Sequence, residues 1–478
     1  MYLTHLYPAP KSFREDENER FVFGADVTAR VSGLTSDCAE RVKSLWKRFS
    51  CEASTLTLVP GGEGFRFEIG DAPACALEAG DDYAITVKAS GVTAVGRDGK
   101  ALLDGIKTLM QLICPDELAE GAESLYISAA EVRDAPAIPF RAVHFCVFPE
   151  SKLYNIEKAI HLAGFLKMTH VILEYWGVFP YECLPELHWP EMAHTRAELK
   201  ALVDLARSYG MEVIPMFNHL GHAPQSRECF GRHVVLNQNP RLGRLFEPDG
   251  WTWCVSNPAT RALLAEIRAE LIDFCGEGKY FHLGLDETRS FATCDRCRKR
   301  VPHELLAEYL NGLTEDLASK GRRPIVWHDQ FIRRTDFGEG PIVATGGNRN
   351  TAAALDLLDR RIIMADWQYS YGKGFNATTK LFMDRGFDTV VCPWDGHENI
   401  RSLAADAKKL NAFGIILTTW DRLPNWLHDA SFAAGCVWCE GEGYPPQTHT
   451  ESAYLLRRLY DTEGAFASAG WNAYEVIQ

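Results

Sequence analysis

The sequence predicts an α/β protein in which a (β/α)8 TIM barrel follows a small α+β accessory domain. From Phe140 onward, short apolar strands alternate with amphipathic helices, a pattern typical of parallel strands joined by crossover helices. Eight such strands can be drawn, which favours a closed barrel over an open, doubly wound sheet. The length of 478 residues leaves room for a second domain before the barrel.

Residues 1–135 are predicted to form the accessory domain. Alternating apolar residues predict three segments containing strands, and the third should be a hairpin that turns at Gly91. Two prolines between Asp134 and Pro139 close the domain, so we place the boundary near Ala135 and assign residues 136–478 to the barrel. The strand segments are Ser54–Pro60, Phe65–Ile69 and Asp82–Asp98, and a helix is predicted over Lys100–Cys114.

The eight barrel strands are predicted in the second domain. Between the second and third strands, apolar residues from Leu199 to Ala206 line one face of a helix that Gly210 terminates. The predicted strands are Ala142–Phe148, Val171–Trp176, Glu212–Phe217, Tyr280–Leu285, Pro324–Trp327, Ile362–Trp367, Thr389–Trp394 and Ile415–Trp420.

Composition and charge restrict the classes of function. A formal charge of −14 argues against a nucleic-acid-binding surface, which needs clustered Lys and Arg. No stretch is apolar enough to span a bilayer, and the N-terminus has no basic leader followed by an apolar signal segment. Fourteen cysteines, several within strand-like segments, are typical of buried residues in a reducing compartment. We therefore expect a cytoplasmic protein without nucleic-acid or membrane partners.

Five of the predicted strands end at a tryptophan. Active sites of barrels lie at the C-terminal ends of the strands, so these rings should wall the mouth. A flat aromatic face suits the C–H face of a sugar ring, which indicates a carbohydrate pocket, although any single tryptophan here fits a core residue equally well. The five are Trp176, Trp327, Trp367, Trp394 and Trp420.

Two adjacent acids, Asp286 and Glu287, directly follow the fourth strand in the run YFHLGLDET. Their side chains should project into the barrel mouth, where burial and like charge raise one pKa toward the working pH. A general acid needs such a raised pKa. The alternative is that one of the two acids caps the following helix.

The run HLGLDE resembles the His-x-Gly-x-Asp-Glu signature of glycoside hydrolase family 20, the β-N-acetylhexosaminidases. Val171–Glu182 and Glu212–His222 are similar to the hexosaminidase D branch of that family. The first domain, with its DGIKTLMQLI stretch, is similar to the accessory α+β domain that precedes many family 20 barrels. The resemblance spans most of the chain up to about Arg298 and is weaker beyond it.

The resemblance implies an exo-acting, retaining enzyme that removes a terminal N-acetylhexosamine from glycoconjugates or oligosaccharides by substrate-assisted catalysis. By analogy, Glu287 protonates the glycosidic oxygen and later deprotonates water. Asp286 orients the 2-acetamido group, whose carbonyl oxygen attacks the anomeric carbon. Neither a metal nor another cofactor is implied, and a homodimer is compatible with the resemblance.

The resemblance also assigns substrate-binding positions. His222 matches the histidine after strand three, and His282 matches the one within the signature, where a purely structural role fits equally well. Trp327, Trp367 and Trp420 match the tryptophans that form the acetamide pocket and stack on the sugar. Trp394 and Asp395 fall where the family usually has a tyrosine that holds the acetamide carbonyl and a carboxylate that binds sugar hydroxyls. Either Tyr369 or Tyr371 replaces that tyrosine, or the interaction is missing.

Strand one departs from the family pattern. Many members have an Asp-x-x-Arg element whose arginine clamps sugar hydroxyls, whereas this chain has Cys146 and Pro149 there. Asn218 likewise stands where many members have Asp. The hexosaminidase D branch also lacks the arginine. Acceptance of GalNAc as well as GlcNAc is therefore a hypothesis.

Two other functions stay open. A metal-dependent hydrolase would use His219, His222, His282 and Asp286, with Cys294 and Cys297 adding ligand-like spacing, but a single Cys-x-x-Cys lacks the second pair of a structural zinc site. A non-catalytic sugar-binding barrel would keep the fold without turnover, and the altered strand-one element keeps this alternative open.

Overall fold

A closed barrel of eight parallel strands and a separate mixed β-sheet form the framework of the chain, which confirms the predicted fold class. The computed structural model describes residues 6–49, 54–70, 75–115, 124–149, 151–188, 191, 193–224, 239–338, 340–370, 377–420 and 423–439. Among these residues, no helix has the length and apolar character needed to cross a bilayer.

The accessory domain is a mixed sheet with two helices. The predicted hairpin is present, because β5 and β6 pair antiparallel around Gly91, and the predicted helix is α2, whose first turn is capped by the Asp98 carboxylate. The sheet order is β1-β8-β5-β6-β4-β2-β3, with β7 paired to β8. The elements are β1 Ser12–Phe23, β2 Asp26–Ser32, α1 Ser36–Phe49, β3 Thr55–Val59, β4 Gly64–Ile69, β5 Tyr83–Lys88, β6 Gly91–Gly96, α2 Gly99–Leu112, β7 Cys114–Pro115 and β8 Leu125–Asp134.

The barrel runs from β9 to β16, and β16 pairs with β9 to close it. Between β13 and β14 the described residues form 3-10 turns rather than an α-helix: Asp329–Phe331, Arg334–Phe337 and Ala352–Leu357. The other elements are β9 Phe140–Val147, α3 Leu153–Phe165, β10 His170–Tyr175, α4 Arg196–Ser208, β11 Glu212–Met216, α5 Pro258–Cys275, β12 Tyr280–His282, α6 Pro302–Ser319, β13 Arg323–Trp327, β14 Ile363–Asp366, α7 Ala377–Asp384, β15 Asp388–Val391, α8 His397–Leu410, β16 Gly414–Thr418 and α9 Leu423–Trp438.

The prediction that five strands end at a tryptophan was correct only for Trp327, the last residue of β13. Trp176 and Trp367 lie one residue beyond their strands, Trp420 two residues beyond and Trp394 three residues beyond. All five rings nevertheless follow C-terminal strand ends.

Buried charges join the two domains. The Lys167 ammonium, fully buried after α3, donates to the Tyr83 hydroxyl at 2.8 Å and lies 3.4 Å from Asp134 at the end of β8. The Trp438 indole of α9 donates to the same carboxylate at 2.9 Å. The predicted boundary at Ala135 lies in the short connection between β8 and β9, and it stays a prediction.

Candidate active site at the C-terminal mouth of the barrel

The backbone after β12 turns sharply to present the two adjacent acids. Gly284 has φ +68°, and a Cβ there would lie 1.9 Å from the Asn218 Oδ1 atom, so only glycine fits. Leu285 and Glu287 also have positive φ, at +92° and +48°. Such conformations cost about 1–3 kcal/mol each in a residue with a side chain, and they cluster at functional sites.

Asp286 and Glu287 differ in exposure although they are adjacent. The Asp286 side chain is 7% exposed, while that of Glu287 is 44% exposed. The His222 Nε2 atom lies between them, 3.4 Å from Asp286 Oδ2 and 3.3 Å from Glu287 Oε2. Asp286 Oδ1 is buried and has no hydrogen-bond partner among the described residues, so it is free to accept a donor from a ligand.

The environment pushes the three pKa values in different directions. Burial raises the pKa of Asp286, and the contact with His222 only partly offsets it. The hydrogen bond from His222 lowers the pKa of Glu287 and outweighs burial. Burial opposes a charge on His222, but the two carboxylates outweigh burial and raise its pKa to about 10. The two carboxylates therefore favour the protonated form of His222.

Two residues that the sequence analysis did not select hold the Glu287 backbone. Its N–H donates to Asp329 Oδ2 at 3.0 Å, and its carbonyl oxygen accepts from the Trp251 indole at 3.0 Å. Burial and the charge of Asp286 raise the pKa of Asp329 to about 6. Asp329 follows β13 by two residues, so its place after a barrel strand was a usable signal. Trp251 lies in a long loop, where its sequence position gives no signal of a role at the site.

His222 is fixed by aromatic neighbours and by close backbone contact. Its ring centroid lies 5.3 Å from that of Trp176 and 4.5 Å from that of Trp251. A Cβ at the preceding Gly221 would lie 2.2 Å from the Asp286 carbonyl oxygen. The Gly-His sequence therefore lets the loop after β11 lie directly against the acid pair.

The pocket floor contains unpartnered donors. The His282 Nδ1 atom accepts from the Gly284 N–H at 3.1 Å, so a neutral ring carries its proton on Nε2, which is buried and has no partner among the described residues. Burial, with His144 nearby, lowers the pKa of His282 well below its ordinary value, which keeps the ring neutral. The Trp327 ring lies 4.3 Å from the His282 ring, and its buried indole N–H also has no partner within the described part of the chain.

An aromatic wall continues from Trp327 around the mouth. The Trp420 ring lies 5.7 Å from Trp327, and its indole N–H donates to the Tyr369 hydroxyl at 2.6 Å. The Tyr369 ring lies 5.3 Å from both Trp367 and Trp394. The structure thus brings together five of the predicted aromatic residues: Trp327, Trp367, Tyr369, Trp394 and Trp420. Asp395, next to Trp394, is half-buried, whereas Tyr371 lies outside the described residues.

A buried polar network links β9, β10 and the loop after β11. Glu174, at the end of β10, accepts from Asn218 Nδ2 at 2.6 Å and lies 2.9 Å from His144 Nε2. The Cys146 sulfur lies 3.4 Å from the same carboxylate. Burial opposes the Glu174 charge, but His144 outweighs it and lowers the pKa. The sequence analysis did not select Glu174 or His144, because polar residues inside a strand resemble structural ones.

The alternative metal site does not form from the predicted histidines. His219 is fully buried, and its Nδ1 atom contacts the Phe217 carbonyl oxygen while Nε2 contacts Arg268. Among the described residues, the groups arranged to share an ion do not include His219, His222 or His282. Among the described residues, the acid pair therefore lies beside aromatic rings rather than in a histidine metal centre.

Comparisons with known proteins agree with this geometry. The model for "Glycosyl hydrolase family 20, catalytic domain" matches residues 185–400, and that for "Glycosyl hydrolase family 20, domain 2" matches residues 3–135. Human Hexosaminidase D is 22% identical over 300 residues, which are 58% of this chain and 57% of that protein. Lacto-N-biosidase of Bifidobacterium bifidum is 20% identical over 269 residues, 53% of this chain and 23% of that protein.

The alignments with these two relatives span less than two thirds of their length. A solved structure of the GH20 exo β-N-acetylglucosaminidase of Vibrio harveyi, in complex with N-acetylglucosamine, superposes with a TM-score of 0.71 at 15% identity. It covers 97% of this chain and 78% of that one, so the shared fold includes both domains. With matches in the accessory domain and in the barrel, the chain belongs to glycosyl hydrolase family 20.

Proposed function

We propose that this chain is an exo-acting, retaining β-N-acetylhexosaminidase that uses substrate-assisted catalysis. The observation that carries the proposal is the Asp286–Glu287 pair, one acid buried and one half-exposed, at a strained turn in the barrel mouth. Its relatives include hexosaminidases and an exo β-N-acetylglucosaminidase, and their names point to the same substrate class.

The different exposures of Asp286 and Glu287 indicate which of them protonates the leaving group and which binds the acetamide. Glu287 is the accessible carboxyl, so it reaches the glycosidic oxygen at the open side of the bound sugar. Asp286 is buried with an unpartnered oxygen, so it accepts the acetamide N–H from inside the pocket. Because His222 lowers the Glu287 pKa in the free site, protonation of Glu287 requires that a bound sugar weaken their contact.

The reaction then proceeds without a protein nucleophile. Glu287 gives its proton to the glycosidic oxygen as the bond to the anomeric carbon breaks, and the acetamide oxygen forms a new bond to that carbon. The Asp286 carboxylate stabilises the positive charge of the resulting oxazolinium ion. Glu287, now ionised, takes a proton from water, which opens the ring with overall retention of configuration.

The aromatic wall supplies the sugar and acetamide contacts. We assign the contact with the acetamide carbonyl, the role that a tyrosine at position 394 would otherwise fill, to the Tyr369 hydroxyl. This hydroxyl accepts from Trp420 and lies 3.4 Å from Thr418 Oγ1, so its proton turns from Thr418 to the acetamide when the sugar binds. Trp327 and Trp420 enclose the acetamide methyl, and Asp395 binds sugar hydroxyls. Acceptance of GalNAc together with GlcNAc is part of this proposal, because strand one has no arginine to clamp sugar hydroxyls and His144 of β9 instead contacts Glu174 of β10.

The test is release of p-nitrophenol from three aryl β-glycosides: the N-acetylgalactosaminide, the N-acetylglucosaminide and the plain galactoside. We expect turnover of only the two acetamido sugars, and a loss of about 100- to 10,000-fold in kcat for Glu287→Gln. Glu157→Gln, which changes a half-exposed glutamate on α3, is the matched control and should keep wild-type turnover. Equal hydrolysis of the plain galactoside, or sugar binding with no turnover, would refute the proposal.

We further propose a reducing compartment such as the cytoplasm as the site of action. The cysteines in the described part of the chain are all free, and many are buried. Fractionation of the native cells tests this directly, since an extracellular protein would contradict it.

A further inference from the structure

Four side chains outside the catalytic site converge on one point. The sulfurs of Cys254, Cys294 and Cys297 and a carboxylate oxygen of Glu247 all lie within 4.8 Å of one another. Glu247 and Cys254 belong to the loop between β11 and α5, whereas Cys294 and Cys297 belong to the segment between β12 and α6. The cluster therefore joins the loops of two neighbouring barrel strands.

The sulfur spacing matches a shared tetrahedral cation. Cys254 Sγ lies 3.3 Å from Cys294 Sγ and 3.7 Å from Cys297 Sγ, too far apart for disulfides, which require about 2.05 Å. Zinc–sulfur bonds of about 2.3 Å at tetrahedral angles separate two sulfurs by about 3.8 Å. Three thiols with one carboxylate also form a donor set that zinc accepts.

Glu247 supplies the second observation that points to a ligand. The residue is 1% exposed, so its carboxylate is buried. Oε2 is held by the Cys294 N–H at 2.6 Å and the Thr293 N–H at 3.0 Å, an arrangement typical of a carboxylate oriented to ligate. Oε1 is buried and has no hydrogen-bond partner among the described residues. Such an oxygen is costly unless it binds a cation or a donor.

We propose that Cys254, Cys294, Cys297 and Glu247 bind one structural zinc ion. The three thiols lose their protons on binding, and the four ligands leave no open position, so the ion has no catalytic water. The Cys297 N–H donates to Cys294 Sγ at 3.4 Å, and the Ser256 hydroxyl lies 3.2 Å from Cys297 Sγ, so donors are already placed to stabilise thiolate charge. This site revises the expectation that the chain needs no metal.

The zinc fixes the two loops that hold the general acid in place. Trp251, four residues after Glu247, donates to the Glu287 carbonyl oxygen. Ser290 on the second loop lies 3.3 Å from Thr252 on the first. The ion therefore positions the Glu287 backbone without contacting the sugar. Zinc binding itself does not depend on the proposed hydrolase activity, whereas this positioning role does.

The first measurement is the zinc content of the full chain, purified through an affinity tag without histidines. We expect about one zinc per chain after extensive dialysis, and loss of zinc in Cys294→Ser and in Glu247→Gln. Cys183→Ser is the matched control, because it removes another partly buried free thiol outside the cluster, and it should keep its zinc. Zinc retained in a Cys294→Ser/Cys297→Ser double variant would overturn the proposal.

Cobalt substitution tests the unmutated chain, so a variant that fails to fold does not obstruct the test. Co²⁺ added to chelator-treated protein should give the intense charge-transfer and visible bands of tetrahedral thiolate ligation, and zinc should abolish them. The stripped protein should melt at a lower temperature, with kcat reduced more than KM, and zinc should restore both. A wild-type chain that binds neither ion, or one with a disulfide within the cluster, would overturn the proposal.

Discussion

Asp286, Glu287 and Asp329 show how neighbouring carboxylates acquire different properties. Asp286 and Asp329 are buried, and the charge of Asp286 adds to burial in raising the pKa of Asp329, whereas Glu287 is partly exposed and paired with His222. Asp329 contacts only the backbone N–H of Glu287 within this pair. It is therefore a positioning residue for the acid rather than an acid itself.

Asp329→Asn should alter how stability depends on pH. The Asp329 pKa is raised from 3.8 to about 6 in the folded chain, because folding favours the protonated carboxyl. The stability that this group contributes is therefore fully present below pH 4 and is lost as the pH rises through 6. The neutral amide avoids this loss and can still accept from the Glu287 N–H. We expect the variant's free energy of unfolding, relative to wild type, to increase between pH 4 and pH 6.5 by up to about 3 kcal/mol. Denaturant unfolding at several pH values measures it.

The exposed Asp384→Asn on α7 is the matched control for this experiment. Its unfolding free energy should stay parallel to that of the wild type across the same pH range. A constant difference between Asp329→Asn and wild type at all pH values would contradict the raised pKa and point to a lost hydrogen bond instead.

At the residue scale, the sequence predicted local features and missed contacts between distant loops. Asp286 and Glu287 are adjacent at a strand end, and the structure places them in the mouth as expected. Asp329 and Trp251 reach Glu287 from other loops, and no sequence spacing reports that. The same limit applies to Cys294-x-x-Cys297, because its third sulfur, Cys254, lies 40 residues before Cys294.

At the element scale, the barrel strands were predictable because each is a short apolar run, and most are separated by amphipathic helices. The accessory strands β1, β2 and β8 were missed. β1 has the sequence SFREDENERFVF, in which charged residues cover an exposed strand and hide the apolar alternation. β12 was predicted through Leu285 but ends at His282, because Gly284 and Leu285 turn the backbone toward the pocket.

Asp134→Asn should weaken the junction between β8, α9 and the end of α3. The substitution keeps the shape of the side chain but leaves the Lys167 ammonium buried without its counter-ion. We expect the free energy of unfolding to fall by about 3 kcal/mol. Lys167→Met in the same chain should recover part of that loss, because it removes the uncompensated charge. Melting midpoints of the single and double variants measure both effects.

Asp204→Asn is the control for a surface ion pair. Asp204 is 61% exposed and pairs with Lys200 one helical turn away on α4. Exposed pairs of this kind contribute about 0.5 kcal/mol or less. Equal destabilisation by Asp134→Asn and Asp204→Asn would show that the buried ion pair contributes no more to the free energy of unfolding than an exposed one.

At the scale of the whole molecule, α2 of the accessory domain lies against the barrel through buried charged groups. The Asp104 carboxylate lies 2.9 Å from Lys107 and 3.7 Å from Arg141 of β9, and all three are nearly inaccessible. Arg141 also donates to the Lys167 carbonyl oxygen at 2.7 Å. The barrel therefore keeps two buried cations whose counter-ions belong to the other domain.

A barrel without residues 1–135 should not be stable by itself. Removal of that domain takes Asp104 from Arg141, and Asp134 and Tyr83 from Lys167, so two cations lose their partners while apolar surface becomes exposed. We expect the 136–478 fragment to aggregate or to melt far below the full chain, and to lack hexosaminidase turnover. Adding Lys167→Met to the fragment should increase its soluble yield, because one uncompensated charge disappears. The measurements are the melting temperature, the soluble yield and the aryl-glycoside turnover of the full chain, the fragment and the Lys167→Met fragment. A fragment that melts and turns over like the full chain would show that the accessory domain is independent of the barrel and that these buried ion pairs do not couple the two.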